Sequence, residues 1–415
     1  MKSNKLLVIL VLIALNVSAK KVGKMNLASL YDQKGFTEIK MQVYHVSDSV
    51  STVYMDIQLK DFHYRHYIES DFYKAYFKVY YELYPDYDTK FPIDSASVFF
   101  SDTTGYDSEI EMIVNFDVKA VFPANYILKL RLTDLYGKEG NSVWDIVEIS
   151  KTTHHSRQNF LLKDSDGYPL FTNALNAGQY FILERNEPDS TDLFIRYFHR
   201  DFPIAKPPFS SEKQETYKFE PDSFYTVSIV TGETPVLELP YKGIYHFQTD
   251  ISQDDGLTLF HFSDGFPRIE TPLQAIEPLR YLTTKKEYNR MLSYENKKAA
   301  VDSFWLYRAS GNPVRARKMI QKYYGRVVRA NRLFSSYQEG WKTDRGLIYI
   351  IYGPPSEMYR KEGEEEWIFG ERGNPMSIKF YFNRAENPLT SNDFRLQRST
   401  TYQTSWYIAV DNWRR

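Results

Sequence analysis

From about residue 36 to about residue 270 the apolar residues recur at every second position, and from about residue 271 they recur at helical spacing. That change of period divides the chain into a β-rich part and a mixed part before any single residue is considered. Ile39, Met41 and Val43 alternate with Lys40 and Gln42, and Val53, Met55, Ile57 and Leu59 alternate with Asp56, Gln58 and Lys60. A third set runs through Ile110, Met112, Val114 and Phe116 against Glu109, Glu111 and Asp117. Each set describes a strand with one wet face, the pattern of antiparallel sheets stacked in a sandwich.

Pro123-Ala124-Asn125-Tyr126, leading into Leu128, Leu130 and Leu132, has the form of a late strand of an immunoglobulin-like domain, where a tyrosine near the strand start ties the corner. Gly243-Ile244-Tyr245, leading into Phe247, repeats that form 119 residues later, counted from Tyr126 to Tyr245. Two immunoglobulin-like β-sandwiches are therefore expected, over 31–150 and 151–270. Asp164-Ser165-Asp166-Gly167 reads as a hairpin turn, and Pro203 to Pro208 as a loop in or at the edge of the second sandwich.

Beyond residue 271 helices are expected over Thr283 to Leu292 and Glu295 to Arg308. A third begins at Asn312-Pro313, a cap residue followed by proline at the first helical position, and runs to about Phe334. On it Met319, Ile320, Tyr323, Val327, Ala330 and Phe334 form one stripe facing a core, and Arg315, Lys318, Lys322, Arg326 and Arg329 form the adjoining basic stripe. Next comes Gly340-Trp341-Lys342-Thr343-Asp344-Arg345-Gly346, with the glycines, which allow positive φ or a close approach that a side chain would forbid, as hinges of a locked loop, Thr343 and Asp344 bonding nearby amides, and Trp341 as an anchor. Leu347 to Tyr352, apolar on both alternating faces, reads as a doubly covered strand that Gly353-Pro354-Pro355 ends. Further strands are expected at Glu366 to Phe369, at Ser377 to Phe382 and through Tyr402 to Val410. The C-terminal part, 271–415, is thus an α+β domain with helices packed on a small antiparallel sheet.

These residues resemble the GWxTD domain, a bacterial family named for the string. The resemblance covers about residues 280–415. Besides the string through Pro355, it rests on Leu279-Arg280-Tyr281 with Glu287-Tyr288, Phe304-Trp305, Tyr323-Tyr324 with Arg326-Val327, and Ala330-Asn331. It implies an exported bacterial protein and supplies no catalytic residues.

The N-terminus agrees with export. Lys2 and Lys5 precede an apolar run from Leu6 to Leu15, and Val17-Ser18-Ala19 offers the small residues that a signal peptidase reads, so 1–19 is expected to be a signal peptide. The run is short for a membrane span, and no other window approaches one, so no transmembrane segment is expected after cleavage. There is no cysteine, hence neither a lipid-attachment thiol nor a disulfide. Periplasmic or outer-membrane-associated placement is expected, with the cell surface as the alternative. Residues 22–270 carry 23 Lys+Arg and 38 Asp+Glu (23 − 38 = −15), and residues 271–415 carry 25 and 15 (25 − 15 = +10). The two parts either dock on one another or face separate partners.

The candidate chemistry is narrow. All eight histidines lie before residue 271, which removes a histidine-based triad or histidine-ligated zinc from the C-terminal domain. His63 and His66, three apart on an alternating strand, point to opposite faces and make a poor metal pair. No phosphate-cradling glycine loop or dinucleotide fingerprint is present, so no cofactor and no metal are expected. Paired acids from Asp344, Glu357 and Glu364-Glu365-Glu366 leave a glycan hydrolase as one alternative, although a charge run beside a strand is ordinarily an exposed turn. The leading expectation is a non-catalytic binding or scaffold component of envelope protein assembly, with envelope or outer-membrane proteins as partners. Trp341, Thr343, Asp344 and Arg345 could shape a pocket, and the basic stripe could meet anionic lipid or glycan. Nucleic acid does not fit with export.

Overall fold

The computed structural model describes residues 20–32, 37–67, 72–103, 111–138, 141–186, 191–199, 201–212 and 219–415. The expected signal peptide, and Glu109 and Ile110 of the third alternating set, lie outside the described residues.

The first sandwich contains β1 (Lys40–His45), β2 (Ser51–Gln58), β3 (Arg65–Tyr67), β4 (Phe72–Tyr84), β5 (Asp94–Asp102), β6 (Glu111–Val118), β7 (Ala124–Asp134) and β8 (Ser142–Lys151). One sheet has the order β1-β2-β6, and the other β5-β4-β7-β8 with β3 on the end of β4, all antiparallel. The alternation seen in the sequence sets which residues turn inward: Val53, Met55 and Ile57 meet Val79, Leu128, Leu130 and Leu132 in one core. Tyr126, at the start of β7, donates its hydroxyl to the Val121 carbonyl at 2.8 Å and accepts from the Val121 amide at 3.1 Å.

The second sandwich is smaller. Its strands are β9 (Leu161–Asp164), β10 (Phe181–Glu184), β11 (Thr191–Phe198), β12 (Ser223–Ile229), β13 (Gly243–Gln248) and β14 (Leu257–His261). A β9-β10 pair, extended by a bridge from Phe181 to Leu237, faces the sheet β12-β11-β13-β14. Tyr245 repeats the corner, donating to the Tyr241 carbonyl at 2.9 Å and accepting from its amide at 3.0 Å. The turn after β9 forms as the sequence indicates, with Gly167 in the left-handed region at φ 89° and Asp164 accepting from the amides of Asp166 and Tyr168.

The C-terminal part contains α1 (Pro272–Ile276), α2 (Lys285–Ser293), α3 (Lys297–Arg308), α4 (Pro313–Phe334), α5 (Asp344–Tyr352) and α6 (Gln403–Arg414). They pack on the antiparallel sheet of β15 (Glu357–Lys361), β16 (Glu364–Phe369), β17 (Ile378–Arg384) and β18 (Phe394–Leu396), which follow one another in space. Asn312 caps α4, its Oδ1 accepting from the amides of Val314 and Arg315 at 3.0 and 3.1 Å. Tyr323, Val327, Ala330 and Phe334 are buried as expected.

Two segments expected to be strands are helices. Leu347 to Tyr352 lies in α5, buried on nearly every side, so a continuous apolar run reports total burial and not a sheet. The expected strand through Tyr402 to Val410 is mostly α6, which buries Trp406 and Trp413 seven residues apart on one face.

The C-terminal core is completed from far away in sequence. Val22, Leu27, Ala28 and Tyr31 are buried among its residues. The Leu27 amide donates to the Met358 carbonyl at 2.7 Å, and Asn26 Oδ1 accepts from the Met358 amide at 3.0 Å, so this segment covers the open edge of β15. The strap 203–208 crosses from the second sandwich in the same way: the Ala205 amide donates to the Lys342 carbonyl, and the Pro208 carbonyl accepts from the Ser399 amide.

Two expectations follow. Leu27→Ala should destabilise the protein by about 2–5 kcal/mol, and hydrogen exchange should show the loss of protection in β15 and α5. A loss confined to the first sandwich would contradict the assignment of this segment. The second concerns acid. Burial holds the imidazoles of His45 and His246 down to about 4 from an ordinary 6.5, each bonded to a hydroxyl and a carbonyl. The unfolded chain takes up these protons as pH falls through about 6.5, whereas the fold resists until about 4. This stability is complete above the higher value and is lost in that window. Thermal unfolding should show Tm falling from pH 7 to pH 5, with a shallower slope in His45→Gln.

Candidate functional site

The Gly340 to Gly346 string lies where α4, α5 and the strap meet. Residues Gly340–Lys342 form one tight turn between the two helices. Its glycines are required by close approach. A Cβ on Gly340 would stand 1.9 Å from the Ala330 carbonyl oxygen, and one on Gly346 would stand 1.8 Å from the Gly340 carbonyl oxygen. The backbones of α4, the turn and α5 are thus stacked in contact, with no side chain between them.

Polar groups lock this stack. Asn331 Oδ1 accepts from the Trp341 amide at 3.0 Å while its Nδ2 donates to the Pro267 carbonyl at 3.1 Å. Ser335 Oγ accepts from the Gly340 amide at 2.9 Å. Thr343 caps α5, accepting from the Gly346 amide at 3.1 Å and donating to the Gly340 carbonyl at 2.8 Å. Trp341 is buried edge-on to Tyr281, whose hydroxyl donates to the Trp341 carbonyl at 2.9 Å.

Asp344 and Arg345 point into different parts of the domain and do not pair with one another. Asp344 receives a two-pronged bond from Arg398, at 2.5 Å to Oδ1 and 3.0 Å to Oδ2, and also accepts from the Leu396 amide at 2.8 Å. Arg345, 2 % exposed, donates to Glu365 at 3.2 Å and to the Asn392 carbonyl at 2.9 Å, with its guanidinium over the Phe394 ring. Glu365 also receives Arg360, the Tyr31 hydroxyl and the Trp367 indole. Burial pushes the Glu365 carboxyl up, but Arg360 and Arg345 outweigh it and hold the group below its usual range. The Tyr31 hydroxyl, buried and beside this anion, is pushed up to about 12.

The charge run at Glu364–Glu366 is therefore not an exposed turn. It is strand β16, whose alternation turns Glu365 inward with Trp367. Arg398 and Asn392 were missed by sequence reasoning, while Glu365 was named only as a candidate acid and Asn331 only within the resemblance; the in-phase placement of Glu365 and Trp367 is the one signal of an inward carboxylate.

The basic stripe on α4 is divided among several internal tasks. Arg315 donates to the Arg415 carbonyl, Arg329 pairs with Glu38 at 3.1 Å, and Lys322 lies over the Trp413 ring. Arg326 stacks on the same ring and donates to the carbonyls of Ile350 and Ile351 at 2.9 and 3.1 Å, closing the C-terminal end of α5. Lys318 is exposed, as is its neighbour Arg317.

A cleft of about 80 Å³ lies beside the string, walled by Ala205, Lys342, Thr343, Asp344, Asn392 and Arg398. Small-molecule sites commonly span about 300–1,000 Å³, so it does not match a sugar or drug-sized ligand. Among the described residues no cluster of three metal-ligating side chains occurs, and no helix is long and apolar enough to cross a membrane.

Fold and joint together describe a chain of two β-sandwiches ending in an α+β module whose characteristic string is a helix-to-helix joint. Residues 243–415 match the GWxTD domain model, so this part of the chain is a GWxTD domain. The match begins at β13, and Ile244 of β13 and Phe260 of β14 pack with Tyr337 and Leu389 in a core shared by the second sandwich and the C-terminal part. No curated protein matches the chain in sequence.

Gly340→Ala and Gly346→Ala should each cost upwards of about 3 kcal/mol, because the atoms they strike are backbone. Asp344→Asn leaves Arg398 buried without its anion and should cost about 3–5 kcal/mol. Urea unfolding measures all three; losses below 1 kcal/mol, the level of an exposed ion pair, would contradict the joint.

Proposed function

We propose that this chain is an exported envelope protein that works by binding, as a scaffold component in envelope protein assembly. The observation that carries the proposal is the internal use of the string. Of its three charged side chains, Lys342 pairs with Glu339 at 2.9 Å, and Asp344 and Arg345 are each bonded to several groups of the domain itself. They build a rigid platform, which suits a component that presents surfaces.

Such surfaces are available. Strand β12 ends its sheet, carries no charged residue from Ser223 to Ile229, and exposes Phe224 at 64 % and Tyr225 at 45 %. An uncharged edge of this kind is a template for an added strand. A glycan hydrolase built on Asp344 and Glu365 is disfavoured by the same bonds, since both carboxylates are enclosed.

Photo-cross-linking from position 224 in the cells that produce the protein should trap other envelope proteins. Purified chain should leave glycan and peptide substrates unchanged. Turnover by the wild type that is lost in Asp344→Asn, at a temperature where the variant remains folded, would refute the proposal.

A further inference from the structure

A groove of about 380 Å³ runs along α4. Its floor includes Ile320, Tyr324 and Val328, spaced four apart, and Ile269 from the loop after β14. Side chains four apart form a ridge on a helix, and the furrow beside such a ridge is the surface into which a second helix packs. In the next row, between Gln321 and Arg329, stands Gly325.

No contact among the described residues explains that glycine. It sits in the middle of a 22-residue helix, where glycine is the poorest choice after proline, and a Cβ placed on it would meet nothing within 4 Å. At Gly340 and Gly346 a neighbouring backbone explains the missing side chain. At Gly325 no described residue fills the space, which is where a partner's backbone would approach.

The rim selects the partner by charge. Arg268, Arg329 and Arg332 border the groove, and no carboxylate is among its lining residues. Glu38 shows how an acid meets this rim, accepting from Arg329 at 3.1 Å and from Arg332 at 3.2 Å. Arg332 keeps 41 % of its side chain exposed, and Arg268 is exposed.

We propose that this groove is the docking site for an acidic amphipathic helix of a partner protein, laid along α4 with its backbone against Gly325. Apolar residues at i and i+4 of the partner fill the furrow, and carboxylates flanking them meet Arg268 and Arg332. The proposal rests on the binding role argued above and adds the place and the chemistry of one partner.

The test uses the full chain in the cells that produce it, with a photo-cross-linking residue at position 321 and, in a separate sample, at 224. At 321 the adduct should be a protein segment whose carboxylates flank apolar residues three to four apart. Gly325→Leu should reduce its yield at least about tenfold, as expected for an occluded contact, while raising Tm by about 2–4 °C because a helix former replaces glycine in open space. Arg268→Glu should also reduce it. A lipid or glycan adduct, an adduct that persists in Gly325→Leu, or no adduct at 321 would overturn the groove. An adduct at 224 with none at 321 overturns the groove alone, and none at either position removes the binding role as well.

Discussion

The contact of three backbones at Gly340 and Gly346 fixes the rest of the C-terminal module. With α4, the turn and α5 stacked carbonyl against Cα, α5 has little freedom to tilt or slide. Its first two residues therefore leave the stack in set directions, Asp344 towards Arg398 and Arg345 towards Glu365 on the sheet. A module whose helices were separated by side chains would place neither pair within bonding distance. The far end of α5 is held by Arg326, which bonds its last carbonyls and would be struck at 2.5 Å by a Cβ on Gly353, a residue at φ 94°.

Distant parts of the chain close on this module. The segment before the first sandwich brings Tyr31 to Glu365, and the strap from the second sandwich bonds to Lys342. The charge difference between the two parts of the sequence is used in part at these junctions. Glu38 meets Arg329 and Arg332, and Glu148 meets Arg384 at 2.9 Å. These contacts neutralise only a few charges, and Arg317, Lys318 and Arg268 stay exposed.

How much was legible in the sequence depended on whether the determining contact was local. The strands β1, β2, β6, β7 and β13, both tyrosine corners and the capped start of α4 were readable, because each is specified within a few residues. Leu347 to Tyr352 was not. Six apolar residues in a row lack a period, and the cue that decides for helix is Thr343, whose hydroxyl accepts the Gly346 amide at the N-terminus. The glycines were marked as sites of positive φ or close approach, and of the two it is close approach between segments that the structure shows. Nothing local could show that Val22 to Tyr31 completes a core more than 300 residues away, or that Asp344 would find Arg398. Those partners are brought together by the fold alone.

Amide hydrogen exchange at Trp341, Gly346 and Leu347 tests the joint most directly. These three amides are donors within the stack, to Asn331, to Thr343 Oγ1 and to the Thr343 carbonyl. If the string is a structural joint, they exchange only through global opening of the module, with protection equal to that of core amides in α4 and the same denaturant dependence. Fast exchange through local opening, with α4 and β16 still protected, would show a mobile loop of the kind that serves a ligand site, and would contradict the account.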